Sequence, residues 1–429
     1  MEIPHASAGR VSIFGPFRMQ GGSVTSDAGD IRLSPKEEGL LKALVEASGA
    51  IVSVNDLIDK VWGEAEVGPA SLNRCISTLR QRLAAVARGP VIETLHRRGY
   101  RIVLPVRHFD TDASGRSVVL DGTPHKVAVD LLLQAHQLVG RRSKAEIEAA
   151  LSRLERAVEF DPNFLPALTT IADLHVSRAM RRHELPRAAG QRALAAAEHA
   201  LTRYPAAAGP IAVRGFVRAT IEGDPSGLKD LDEAVAIEPD SWLLRFYRAW
   251  VLTGLGRHDD AGEDLEAALL VGPMNPGLIG AAGYLLFCCG KEERALEVLL
   301  EGLTHLPMTD TLHASLSAIL SWRNDHEAAI AHGRQPELMT GDNPTLAALL
   351  PYALARAGAV DDAMREIESL MGKGNGPAPS LLAPVYLALG LPDEARAELL
   401  RAGHEGCPYR HVVRYEPRLG GLTESGPWG

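Results

Sequence analysis

Residues 69–103 read PASLNRCISTLRQRLAAVARGPVIETLHRRGYRIV, and they decide how the N-terminal part of this 429-residue chain folds. Gly68-Pro69 opens a helix whose apolar spacing carries it over about residues 70–87. At about 100° per residue, Leu72, Ile76, Leu79, Leu83 and Val86 share one narrow stripe, which must face a core. Arg74, Ser77, Thr78 and Gln81 lie opposite with Asn73 beside them, while Arg80 and Arg82 flank the stripe. No acid interrupts the helix. Two apolar runs follow, around the basic turn His96-Arg97-Arg98-Gly99, and predict a β-hairpin.

Upstream, Ser34-Pro35-Lys36-Glu37 is a capping box with proline at the first helical position, and Leu40, Leu41, Leu44 and Val45 continue it at helical spacing up to Ser48-Gly49. Ser53-x-x-Asp56 opens a second helix through Leu57, Ile58, Val61 and Trp62. Residues 10–33 alternate weakly, with Val11, Ile13, Phe17, Val24, Ile31 and Leu33 between Gly, Asp and Ser, which predicts short antiparallel strands. Strands, three helices and a basic hairpin, in that order, make a winged helix. Its third helix suits a major groove, and its hairpin tip suits the backbone or minor groove beside it. Residues 71–107 carry eight arginines against the single acid Glu93, and donor side chains without carboxylates are what base edges and phosphates require.

The fragments LSPKEEGLLKAL, IVSVNDLIDKVWG, LNRCISTLRQRL and IETLHRRGYRIV, in order over residues 30–103, resemble the winged-helix DNA-binding domain of OmpR/PhoB-type transcriptional regulators. The HRRGYR wing is most similar to the CadC branch, and the whole chain resembles CadC- and HilA-like regulators without a membrane segment. The resemblance implies that Arg74, Cys75, Ser77, Thr78 and Arg80 contact bases and phosphates and that His96, Arg97 and Arg98, in a wing spanning residues 95–100, contact the minor groove or backbone. With Asn73, Gln81 and Arg82 from the helix face, these are the candidate DNA-binding residues. Thr78 stands where relatives commonly carry arginine, and His96-Arg97 where they carry Arg-Gly, so no relative's target sequence carries over.

The rest of the chain repeats. Pro205, Pro239, Pro273 and Pro307 are 34 residues apart, and Gly256, Gly290, Asn324 and Gly358 keep the same step, as do Ala261, Ala295, Ala329 and Ala363. Gly390 and Ala395 follow after 32. Small residues let paired helices approach, Gly or Asn closes the first helix in a left-handed cap, and Pro ends the second. This helix–turn–helix grammar resembles the tetratricopeptide repeat, and seven to eight units fit from residue 127 to about 404, with some nine extra residues near Arg181–Gly190. Gly341 and Asn375 stand where proline is expected, so the later units are degraded. The resemblance implies a superhelix whose concave face takes a peptide, protein or small ligand and whose edges often dimerise. Its aromatics, among them Trp242, Trp250, Tyr284, Trp322 and Tyr352, fall mainly on first helices and read as packing with one or two lining a groove.

Composition bounds the alternatives. At 46% hydrophobic and 23% charged residues the chain can bury large cores, and its four scattered cysteines suit a reducing cytoplasm. The net charge of −9 hides a split: residues 1–108 stand at +3 and residues 109–429 at −12, so the array is expected to keep away from DNA. No phosphate-loop, zincin, nucleophile-elbow or Cys/His metal motif occurs, and Gly372–Gly376 reads as a loop between repeats, so neither an enzyme nor a cofactor is expected.

The fold expected is multidomain: an α+β winged helix-turn-helix over residues 1–106, a linker over 107–126, an all-α tetratricopeptide-repeat superhelix over 127–415 and a frayed tail over 416–429. The function expected is transcription regulation in a bacterial cytoplasm, with double-stranded promoter DNA and RNA polymerase as partners, a homodimer as the binding unit and no membrane contact. The competing reading is a repeat scaffold whose winged helix binds protein.

Overall fold

The computed structural model describes the chain apart from residues 1–8, 15–16, 21–22, 27–28, 48, 64–68, 85, 88–89, 96–97, 105, 112–125, 140–141, 273–274, 308, 336–342, 373–375 and 420–429. Its two compact units part between Lys126 and Val127.

In the first unit, β1 (Gly9–Phe14), β2 (Phe17–Gln20), β3 (Ser23–Ser26) and β4 (Gly29–Ile31) form an antiparallel meander, as the weak alternation predicts. Three helices follow: α1 (Pro35–Glu46), α2 (Val54–Trp62) and α3 (Pro69–Ala84). Both serine caps form. The Ser34 hydroxyl accepts from the Glu37 N–H while the Ser34 N–H donates to Glu37 Oε2 at 2.7 Å, and Ser53 Oγ accepts from the Asp56 N–H at 3.1 Å. The stripe of α3 is buried as its angles require, with Leu72, Leu79 and Leu83 fully covered and Ile76 nearly so, packed with Leu40, Leu44 and Leu57 of the other two helices. The hairpin is β5 (Ile92–Leu95) and β6 (Gly99–Ile102).

One boundary differs from the expectation. Residues 107–111 do not begin a linker. They continue β7 (Val106–Thr111), which pairs with β1 from Gly9↔Thr111 to Phe14↔Val106 and makes the edge of a five-stranded sheet. A polar composition conceals this strand because its partner lies about a hundred residues upstream, and backbone pairing leaves no mark on side-chain type.

From residue 126 onward the described residues form eight helical hairpins, spanning residues 126–160, 165–203, 208–237, 242–271, 276–305, 310–333, 344–371 and 379–405. Every turn within a hairpin contains a left-handed residue. Gly223, Gly256, Gly290, Asn324, Gly358 and Gly390 serve in the last six, four of them on the 34-residue ruler. The first two use Arg142 and Arg182, both at φ 55°. Ala261, Ala295, Ala329, Ala363 and Ala395 are fully buried where second helices meet first helices. The extra residues of the second hairpin lengthen its helices, Leu165–Met180 and Pro186–Arg203, the latter to 18 residues.

Successive hairpins curl until early and late ones touch. Arg181 pairs with Asp310 at 3.0 Å, Thr345 Oγ1 donates to the Met180 carbonyl at 2.7 Å, and Arg182 pairs with Glu405 at 2.7 Å. First helices of the fourth to eighth hairpins converge on a cavity of about 40 Å³, lined by Trp250, Tyr284, Ser315, Leu349 and Leu381, with room for roughly three waters.

Residues 416–419, expected in a frayed tail, are instead part of this unit. Gly406, left-handed at φ 68°, turns the chain out of the last helix, and residues 406–419 run back across the first helices of earlier hairpins. Val412, Val413 and Leu419 are fully buried, and Glu416 and Arg418 form an ion pair sealed from solvent. Residues 406–419 therefore lie against first helices, with Trp250 and Tyr284 among their hydrogen-bond partners. Among the described residues no helix is long and apolar enough to cross a membrane.

Candidate nucleic-acid interface

The outward face of α3 presents Arg74, Ser77, Thr78 and Gln81, all exposed, because the core stripe fixes the helix rotation. Arg74 has no carboxylate partner among the described residues. Thr78 Oγ1 donates back to the Arg74 carbonyl at 3.1 Å, which leaves its methyl and a lone pair outward. Asn73, also exposed, accepts at Oδ1 from the Tyr100 hydroxyl at 2.6 Å and so ties the helix to β6.

Two of the candidate arginines are held by the protein. Arg80 Nε donates to the Ile92 carbonyl at 2.9 Å and a terminal nitrogen donates to Thr94 Oγ1 at 2.7 Å, with the guanidinium 6.0 Å from the Tyr100 ring centre. Arg82 Nε donates to Glu37 Oε1 at 3.1 Å and another nitrogen donates to the Arg32 carbonyl at 2.9 Å. Arg80 and Arg82 thus each have partners within the domain. Helix α3 carries no acid, but α1 supplies one from 45 residues upstream. Arg80 bridges helix to wing, and Arg82 bridges helix to the α1 cap; both keep part of their surface in solvent.

Cys75 is half-buried, and burial together with Glu37 pushes its thiol above the ordinary value, only partly offset by Lys36. At neutral pH it stays protonated and unreactive. Glu37 behaves in the opposite way. Burial alone would raise its pKa, yet the hydrogen bonds from Ser34 and Arg82 outweigh this and leave the carboxyl below its usual value.

The wing rests on a close backbone approach. Val52 and Tyr100 exchange N–H···O bonds of 2.8 and 2.9 Å, and at Gly99, φ 138°, a β-carbon would lie 2.0 Å from the Val52 carbonyl oxygen. Only glycine fits. Arg98 beside it is exposed and donates its N–H to the Leu95 carbonyl, which aims the turn. His96 and Arg97 lie outside the described residues. Glu93, the single acid of this basic stretch, is buried against Arg101 at 2.6 Å across the hairpin, so it does not oppose an incoming phosphate.

Residues 28–102 match the family model described as transcriptional regulatory protein, C terminal. This segment is a domain of that family. Over 85 residues the chain is 46% identical to the transcriptional regulator HilA of Salmonella typhimurium, a match that covers 20% of this chain and 15% of that protein. Among solved structures, the DNA-binding domain of Escherichia coli CadC is 26% identical and matched over 98% of its length and 24% of this chain, with a TM-score of 0.22. For the repeats, a TPR protein of Thermus thermophilus is 22% identical, matched over 98% of its length and 45% of this chain, with a TM-score of 0.38.

Within this transcriptional regulatory domain, sequence reasoning found the exposed face of α3 and Arg98. It missed Glu37, Thr94 and Tyr100, which hold that face in place. Glu37 was visible as a capping residue, but its second partner belongs to another helix and no local spacing reports it.

Proposed function

We propose that this chain is a sequence-specific DNA-binding transcriptional regulator whose α3 enters the major groove while the wing touches backbone or minor groove. One observation carries the reading: α3 has an exposed, acid-free face with Arg74, Ser77, Thr78 and Gln81, Arg80 ties that helix to the hairpin carrying exposed Arg98, and the hairpin's one carboxylate is withdrawn into an ion pair. Arg74 and Arg98 act on phosphates, as do Arg97 and His96 of the wing sequence. Ser77 and Gln81 face bases, and Asn73, Arg80, Arg82 and Cys75 position the helix. One such domain covers one half-site, so a homodimer on paired half-sites in promoter DNA is the working unit. RNA polymerase and a protein partner of the repeat array complete the regulatory complex in a bacterial cytoplasm.

The test is a mobility-shift series across salt concentrations with promoter fragments of the native genome. Arg74→Ala and Arg98→Ala should each weaken binding to all sequences and lower the salt slope by about one. Ser77→Ala and Gln81→Ala should change the ranking of sequences instead. Unchanged binding in all four variants would leave the protein-binding alternative in its place.

A further inference from the structure

The segment 406–419 lies across first helices of the fourth, fifth and seventh hairpins. Trp250 Nε1 donates to the Pro408 carbonyl at 3.1 Å and its ring meets Tyr409 edge-on at 5.0 Å. Tyr284 donates its hydroxyl to Glu416 at 2.9 Å, and the Arg418 guanidinium lies 4.4 Å from the Tyr352 ring centre. These three aromatics stand on the first helices of three different hairpins, so a single strand of chain reads them in sequence. Small residues let it approach: a β-carbon at Gly254 would lie 2.9 Å from the His411 β-carbon.

Its seating is not that of a permanent core element. Two nitrogens of the buried Arg418 guanidinium have no acceptor among the described residues, and a buried ion pair left short of hydrogen bonds is costly to keep. Arg410 and Arg187 also both donate to the Gly403 carbonyl, at 3.3 and 3.1 Å, which sets two cations side by side. The segment follows the helix ending at Glu405 and is built of short turns.

We propose that residues 406–419 are a tethered internal ligand that keeps the inner face closed. A partner polypeptide binds in their place, presenting a backbone carbonyl to Trp250, a carboxylate to Tyr284 and a cation to Tyr352. The proposal rests on reading the array as the interaction module and is independent of DNA binding, which the same preparation reports by mobility shift.

Hydrogen exchange on the full chain tests it first. The bonded amides of Val413, Tyr415, Glu416 and Leu419 should exchange at least about tenfold faster than those of the helices Trp242–Gly254 and Pro276–Cys288, through an opening smaller than global unfolding. Equal protection would make the segment ordinary core and overturn the proposal. A labelled peptide of residues 406–419 is the second probe. The tether presents its own segment at roughly millimolar effective concentration, so the peptide should bind Val413→Asp at least about tenfold more tightly than the unaltered chain. Circular dichroism confirms that the variant stays helical. Failure of the peptide to discriminate between the two folded proteins would also overturn it.

Discussion

Arg82 Nε donates to Glu37 Oε1 at 3.1 Å, so the residue that caps α1 also steadies α3. Glu37→Gln keeps the shape but removes the charge from both bonds. It should lower the stability of the N-terminal domain by about 1–2 kcal/mol, read as a drop in its melting temperature. The sign with pH follows from the direction of the shift. The folded carboxyl titrates below its usual value of 4.5, so its contribution is present above that pH and is lost as pH falls through the lowered value. The variant should therefore melt less differently from the unaltered domain at pH 3 than at pH 7.

Arg80 offers a sharper separation of roles. Its planar fork reaches the Ile92 carbonyl and Thr94 together, a geometry that lysine cannot reproduce. Arg80→Lys keeps the charge. If Arg80 works by holding wing to helix, the lysine variant should lose most of the DNA affinity that Arg80→Ala loses and should loosen amide protection in residues 92–102. Full affinity with lysine would assign Arg80 to the phosphates instead.

How much of this was legible in the sequence depended on whether the partner of each residue was near in the chain. The Ser34-x-x-Glu37 box, the α3 stripe and the 34-residue rulers are local patterns, and each fixed an element correctly. Arg142 and Arg182 occupy left-handed positions that a glycine search passes over. They tolerate a strain of about 1–2 kcal/mol because their side chains are held by Asp173 and Glu405, the second 223 residues away. Partners far off in the chain likewise hid β7 and the strap formed by residues 406–419. At the candidate interface the exposed donors were readable from helical angle alone, whereas their support, coming from Glu37, Thr94 and Tyr100, required the packed structure.

Two histidines make the array sensitive to acid. Burial first, and then Arg178 and Arg192, push His175 down to about 4; burial, Arg410 and Arg414 do the same to His411. Each is therefore neutral in the folded array, while the unfolded chain takes up a proton near 6.5. Their contribution to stability is complete above that pH and is lost as pH falls from about 6.5 toward 4. The melting temperature of the array should decline over this window, and His175→Gln or His411→Gln should flatten the decline relative to its own neutral-pH value. An acid limb of unchanged steepness in both variants would show that other groups govern it.

Gly256 and Gly290 occupy equivalent turns one repeat apart, with φ of 75° and 74°, yet they face different surroundings. A β-carbon at Gly290 meets nothing within 4 Å, whereas one at Gly256 would lie 2.7 Å from the Tyr415 hydroxyl of the strap. Gly290→Ala should therefore cost only the backbone strain, about 1–2 kcal/mol. Gly256→Ala carries the same strain and must also displace Tyr415, which packs edge-on against His258 at 4.8 Å. The difference between the two melting shifts isolates the strap contact, since the strain is common to both. Alanine at Gly256 should show the larger shift together with faster exchange at residues 413–419, and equal shifts would mean that Tyr415 swings aside without loss.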